Sequence, residues 1–252
     1  MLEAGDRWCV IDGDSAAAMS AMADASVDHV ITDPPYDDLV HAKAITVSYR
    51  LGIEAGAMQS IQGVAFDAVR PLVLAPELLR VSRRWVLAFC TLEDMGSFRD
   101  GAGDSWIRSG VWDKIAPGPQ ITGDRPRQAV EGIAIMHRRG SGRPRWNGGG
   151  KAGIWRHIPP HGDKRPDHPT PKPLGLMLEL IEQFTDPDDV ILDPFCGSGT
   201  TLVAALLLGR RAIGIELDPK WAQMSRERCE AEDSSTTVKA KEAGQMPLFG
   251  AA

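Results

Sequence analysis

Val190-Ile191-Leu192-Asp193-Pro194-Phe195-Cys196-Gly197-Ser198-Gly199-Thr200 is the stretch that decides the fold of this chain. Three apolar residues read as a buried strand ending at Asp193, and the glycine loop leads into the apolar helix Thr201 to Leu208. Gly209 ends that helix, and Ala212 to Ile215 forms a second strand that delivers Glu216. Glycines let backbone approach a ligand closely, and an acid at the end of the second strand can accept from both hydroxyls of a ribose. A lone G-x-G says little. The order strand, loop, helix, strand, acid says much more, and it points to a nucleoside-type ligand on an α/β fold. A dinucleotide fingerprint needs a third glycine at position 202, which is Leu202, and the absence of a following Gly-Lys-Ser/Thr excludes a P-loop. The acid ahead of the loop suits a cationic, amine-bearing ligand, and S-adenosylmethionine has both an α-amine and a sulfonium.

Toward the N-terminus, Trp8 to Ile11 reads as a strand, Asp12-Gly13-Asp14-Ser15 as its exit turn and a helix cap, and Ala16 to Ala23 as a short helix. The strand Val27 to Thr32 then delivers Asp33-Pro34-Pro35-Tyr36. Strand, helix, strand in so few residues is a βαβ unit, so the sheet is at least partly parallel. Each proline fixes its φ and lacks an N–H, so this backbone presents mainly carbonyl oxygens. A planar group bearing an NH₂ can stack on Tyr36 while its N–H bonds point at the Asp33 carboxylate and the Pro34 carbonyl, which fits a nucleobase amine. The same four residues also fit a plain Pro-Pro turn beside a core tyrosine.

Residues 37 to 62, punctuated by glycines and without periodicity, are expected to form a mobile segment that closes over a substrate. A helix is expected over Phe66 to Ser82, a buried strand over Arg84 to Cys90, and further strands over Trp106 to Lys114 and Glu131 to His137. Arg138 to Pro160 reads as irregular, and Pro173 opens a helix whose apolar face is Leu174, Met177, Leu178, Ile181 and Phe184. The last helix is expected over Asp218 to Glu230, followed by a disordered polar tail.

At 252 residues, 43% hydrophobic and 25% charged, the composition fits one large globular domain. No apolar run reaches membrane-spanning length and the N-terminus is acidic, so a cytoplasmic protein with no membrane partner is expected. Cys9, Cys90, Cys196 and Cys229 form no C-x-x-C pair, which argues against a metal site or disulfide frame. Charge is uneven: residues 125 to 172 carry eleven Arg and Lys against three acids, giving +8, and the rest of this −6 chain is −14. Within that segment Arg138, Arg139, Arg143, Arg145, Trp146, Lys151 and Arg156 interleave basic and aromatic groups, which suits gripping a nucleic-acid backbone. A solvated loop or flexible connector has the same composition.

Both motifs together make the chain resemble the amino-group DNA methyltransferases that use S-adenosylmethionine, in the β-group order with the catalytic motif first and the cofactor loop last. The resemblance covers most of residues 8 to 230 and implies a Rossmann-like, mainly parallel seven-stranded sheet with helices on both faces, in circularly permuted motif order. It implies catalytic roles for Asp33, Pro34, Pro35 and Tyr36. It implies cofactor contacts from Asp193, Phe195, Gly197, Ser198, Gly199, Thr200 and Glu216. Thr170 and Lys172, within His168 to Pro173, would contact the methionine part, and Asp14 the adenine edge. By the permutation the first strand should lie beside the one ending in Glu216, with residue 230 near residue 8. Such a protein acts on a base flipped out of double-stranded DNA, and an acid at the first motif position favours adenine N6 over cytosine N4. The region left for recognition, 138 to 167, is short, so a homodimer in which a second subunit supplies contacts is implied. In the tail, 231 to 252, Gln245, Leu248 and Phe249 resemble the peptide that docks bacterial replication proteins on the sliding clamp; a tail that folds onto its own domain is the alternative.

Overall fold

A computed structural model of the chain describes residues 2, 5–35, 70–115, 117, 123–160 and 171–242, with side chains to 234. In chain order the elements are β1 (Trp8–Asp12), α1 (Ser15–Ser20), β2 (His29–Thr32), α2 (Pro71–Val81), β3 (Trp85–Cys90), α3 (Met95–Ala102), β4 (Trp106–Asp113) and β5 (Val130–His137). There follow β6 (Ile154–Arg156), α4 (Leu174–Phe184), β7 (Val190–Asp193), α5 (Thr200–Leu207), β8 (Arg211–Glu216) and α6 (Pro219–Glu242).

One sheet holds all the described strands in the order β1-β8-β7-β2-β3-β5-β4-β6. The pairings run parallel except at β5, which is antiparallel to both β3 and β4. Alternation across the pleat sorts the core into two layers. Ile31, Leu87, Phe89, Ile133 and Ile135 face α4, α5 and α6 through Leu176, Leu180, Ala204 and Cys229. Val30, Val86, Ala88, Ala134 and Met136 face α1, α2 and α3 through Met19, Leu78 and Phe98. The strands bury both faces, as a parallel sheet covered by helices requires.

The permuted order is present: β1 lies parallel to β8 with Asp12 opposite Glu216, and Arg226 of α6 donates to the Val10 carbonyl at 3.3 Å. Arg7 pairs with Asp233 as well, so the segment before β1 adjoins the middle of α6.

The sheet has eight strands among the described residues rather than the expected seven. The additional one is β6, inside the segment read as irregular; it pairs with the end of β4, and Trp155 at its centre is 2% exposed, donating to Gln183 Oε1 at 2.9 Å. The last helix also runs twelve residues beyond Glu230, to Glu242. That stretch holds no glycine or proline to stop it, and its alanines, lysines and glutamates favour helix.

Candidate functional site

Because β1, β8, β7 and β2 run the same way, their carboxyl ends open on one edge of the sheet, where α/β folds hold ligands. Asp12 and Glu216 end β1 and β8 in register. Extending the β8–β7 and β7–β2 registers past their last pairs puts Asp33 level with Glu216, two strands away. At the usual strand spacing that is about 10 Å, the span of a nucleoside and a short appended chain. The two motif strands are also tied directly: Thr32 Oγ1 donates to Asp193 Oδ1 at 2.7 Å, and both residues are buried.

Asp193 is 3% exposed, and Oδ1 also accepts from Phe195 N at 3.1 Å. Burial pushes its carboxyl up to about 6, partly offset by hydrogen bonds from Thr201 and Thr32. It therefore braces the loop from behind. Gly197, at φ +50°, donates its N–H to Glu216 Oε2 at 2.8 Å, while Asp218 N donates to Oε1 at 2.9 Å. Burial raises the Glu216 carboxyl above its ordinary range against the pull of those backbone donors. A carboxylate accepts about four hydrogen bonds, so each oxygen keeps capacity for a ribose hydroxyl. The donor set fits the ligand inferred from sequence.

The remaining loop residues also have partners within the fold. Gly199 is left-handed at φ +80°, and a Cβ there would lie 2.3 Å from Ser225 Oγ. Ser198 and Thr200 are buried against Arg228 of α6, which donates to the Ser198 carbonyl. Phe195 is half-buried against the α1–α3 layer. Asp14 caps α1 by accepting Ala17 N at 2.7 Å; the acid in register with Glu216 is Asp12, which pairs with Arg226.

Asp33 is half-buried, Pro34 buried and Pro35 half-buried at the end of β2. The partner of Asp33 is Lys172, whose ammonium binds Oδ2 and also lies 3.1 Å from Glu131 Oε2. Lys114 approaches Glu131 Oε1 at 2.6 Å. The Lys172 side chain is 10% exposed, and its Nζ lies 4.9 Å over the Phe89 ring and 5.9 Å from that of Trp112. Burial would lower the Lys172 pKa, but Asp33 and Glu131 outweigh it and raise it. Burial likewise opposes ionisation of Glu131, yet Lys172 and Lys114 hold its carboxyl below the ordinary range. Lys172, expected to contact cofactor, is thus turned to the acid motif. Glu131, Thr32 and Asp12 were not singled out from sequence; Thr32 and Asp12 each carried the signal of a polar residue ending an apolar strand, and Glu131 that of an acid opening one.

The basic segment divides. Arg138 donates to the Arg80 carbonyl at 2.5 Å and pairs with Asp24, Arg139 pairs with Asp104 at 2.6 Å, and Arg145 with Asp186 at 3.0 Å. These lie by the start of β3, β4 and β7, the end of the sheet away from Asp33. Trp146 packs on Phe184 with ring centroids 4.7 Å apart, and Lys151 pairs with Glu179 at 3.6 Å. Arg143 is exposed. Of the expected set, only Arg156 sits at the site's end, opposite Asp113 where β6 and β4 finish. Exposed Arg125 and Arg127, just before β5, share that end. Within 138 to 156, tryptophans fix the segment to α4, and acids pair with Arg138, Arg139, Arg145, Lys151 and Arg156.

Tyr36, the segment 37 to 62, Thr170 and His168, and Gln245, Leu248 and Phe249 lie outside the described residues. Among the described residues no cluster of three or more His, Cys, Asp or Glu could hold a metal ion.

A mainly parallel sheet with a glycine loop and paired acids at adjoining strand ends defines a Rossmann-like, nucleoside-binding α/β protein. Residues 103–227, just under half of the chain, match the family model described as DNA methylase. The match includes the glycine loop and Glu216 but begins after Asp33. Type II methyltransferase M2.MboI of Moraxella bovis is 52% identical over 61 residues, 24% of this chain and 22% of its own length. The solved complex of M1.HpyAVI with SAM superposes with a TM-score of 0.65 at 22% identity, covering 88% of this chain and 98% of the other. TTHA0409 of Thermus thermophilus superposes at 0.60 with 25% identity, covering 90% and 95%.

Proposed function

We propose that the chain transfers the methyl group of S-adenosylmethionine to an exocyclic amine in double-stranded DNA, with adenine N6 as the acceptor. The observation that carries this reading is the Thr32–Asp193 hydrogen bond of 2.7 Å, which locks the acid motif beside the glycine loop. That bond supports a reading in which methyl donor and acceptor share one crevice.

Bound there, S-adenosylmethionine supplies an electrophilic methyl carbon on a sulfonium. Glu216 takes the ribose, and Gly197, through its N–H, holds Glu216 in place. Asp33 and the Pro34 carbonyl would accept the two N–H bonds of the amine, turning its lone pair out of the ring π-system and stabilising the positive charge that develops as the N–C bond forms and the S–CH₃ bond breaks; the neutral thioether leaves and the methylated ammonium gives up one proton to solvent. A base reaches this pocket only after leaving the duplex stack, and Tyr36 offers it a replacement surface. Asp33, rather than a serine, favours adenine over cytosine N4, which is the second reading.

DNA approaches the carboxyl end of the sheet, where Arg125, Arg127 and Arg156 stand. Residues 1–230 form the methyltransferase domain, and a second copy of the chain supplies contacts that 138–167 is too short to give. The tail docks on the sliding clamp through Gln245, Leu248 and Phe249: deleting 244–252 abolishes clamp pull-down and spares methylation of short duplexes. No helix among the described residues is long and apolar enough to cross a membrane. A double-stranded DNA substrate is the ground for assigning the reaction to the cytoplasm.

Transfer of a labelled methyl to duplex DNA tests the reading. Asp33→Ala should lose transfer while binding cofactor within about twofold of wild type; activity within tenfold of wild type would reject the assignment.

A further inference from the structure

We propose that Lys172, backed by Glu131, positions the Asp33 carboxylate for the incoming amine; the inference rests on the methyl-transfer reading above. Nothing local obliges these groups to meet. Asp33 follows β2, Lys172 precedes α4 and Glu131 opens β5, yet the lysine bridges the two acids.

The lysine is built to stay in one place. Its backbone lies between Pro171 and Pro173, two residues of fixed φ. Its stem ends over the faces of Phe89 and Trp112, which favour a cation and leave little room for another rotamer. A lysine serving the cofactor would turn its ammonium toward the glycine loop. This one turns it to Asp33 Oδ2.

A cation beside the amine poses a difficulty, because the amine itself becomes positive as the methyl arrives. Glu131 resolves it. Asp33, Glu131, Lys172 and Lys114 sum to zero, but Glu131 shares the Lys172 ammonium with Asp33, so the lysine can orient the acid while only part of its charge opposes the field the reaction needs. Lys114, 2.6 Å from the other oxygen of Glu131, fixes that acid to the end of β4. Lys172 and Glu131 are positioning residues, acting through Asp33.

The test is a double-mutant cycle on full-length protein with duplex DNA, reading the single-turnover rate constant, cofactor and DNA dissociation constants, and the thermal midpoint. Lys172→Met should lower the rate about 100-fold, the usual cost of a misplaced reacting group, with both dissociation constants within threefold. Glu131→Gln should lower it about 10-fold, because the lysine charge is then unopposed. The double variant, which removes one charge of each sign and so spares folding, should be no slower than Lys172→Met alone. Three results overturn the proposal: a Lys172→Met rate within threefold of wild type, cofactor affinity falling in step with rate, or losses that multiply in the double variant. A wild-type chain that transfers no methyl instead defeats the underlying reading, and the proposal falls with it.

Discussion

Asp193 and Asp189 end and precede the same strand and are pushed in opposite directions. Burial opposes ionisation of Asp189, but His29 at 2.9 Å, the Asp186 N–H and Arg84 bring its carboxyl below the ordinary value. Asp193 has hydroxyl and backbone donors but no cation among the described residues, and burial wins, moving it from 3.8 to about 6. A raised carboxyl pKa means the folded state holds its proton more tightly. Its contribution to stability is therefore fully present below pH 4 and is lost as pH rises to about 6. The shift corresponds to about 3 kcal/mol. Asp193→Asn cannot ionise, so its thermal midpoint relative to wild type should rise by on the order of 5 °C between pH 4 and pH 7. A midpoint difference independent of pH would show that Asp193 does not titrate there. Asp33 and Glu216 were legible in the sequence because each directly follows an apolar strand. The pairing of Lys172 with Glu131 was not, because it joins side chains forty-one residues apart, one opening β5 and one preceding α4, and only the folded sheet brings them together.

At the scale of elements, the glycine loop and α5 form one unit with α6. Gly199→Ala would put a methyl against Ser225 and force φ +80° on a residue with a side chain. It should cost about 1–3 kcal/mol in urea unfolding and weaken cofactor binding by displacing Gly197 from Glu216. Gly197 is where the loop meets Glu216; Gly199 is where it meets Ser225 of α6, a division that spacing alone does not reveal. The helices and long strands were legible from their periodicity. Strand β6 was not: three residues in a glycine- and arginine-rich stretch have no period, and their pairing with β4 is set by tertiary packing. Trp155, buried between that strand and α4, shows the energetic side of the same fact. Trp155→Ala should destabilise the fold by about 3–5 kcal/mol, and unchanged urea midpoints would mean that β6 contributes nothing to the core.

For the whole molecule, charge composition located the cations without locating the face. Arg139 and Arg145 sit by the starts of the strands, each with an acid, whereas Arg125, Arg127 and Arg156 sit where the site opens. The strands separate the two ends by roughly 17 Å. Arg125→Ala with Arg127→Ala should weaken duplex binding at least tenfold and make it less salt-dependent, the logarithmic salt slope falling by about one for each arginine removed from a phosphate. Arg139→Ala with Arg145→Ala should change affinity by less than threefold. Fluorescence anisotropy across a salt series distinguishes them, and equal losses from both pairs would place DNA elsewhere. The central claim is that a nucleobase amine meets a methyl donor between Asp33 and the glycine loop. Its most direct test is to incubate the chain with duplex DNA and S-adenosylmethionine, digest the DNA to nucleosides and weigh them. The account predicts N6-methyldeoxyadenosine with wild type and none with Asp33→Ala; a methyl group on a ring carbon, or no methylated nucleoside at all, would contradict it.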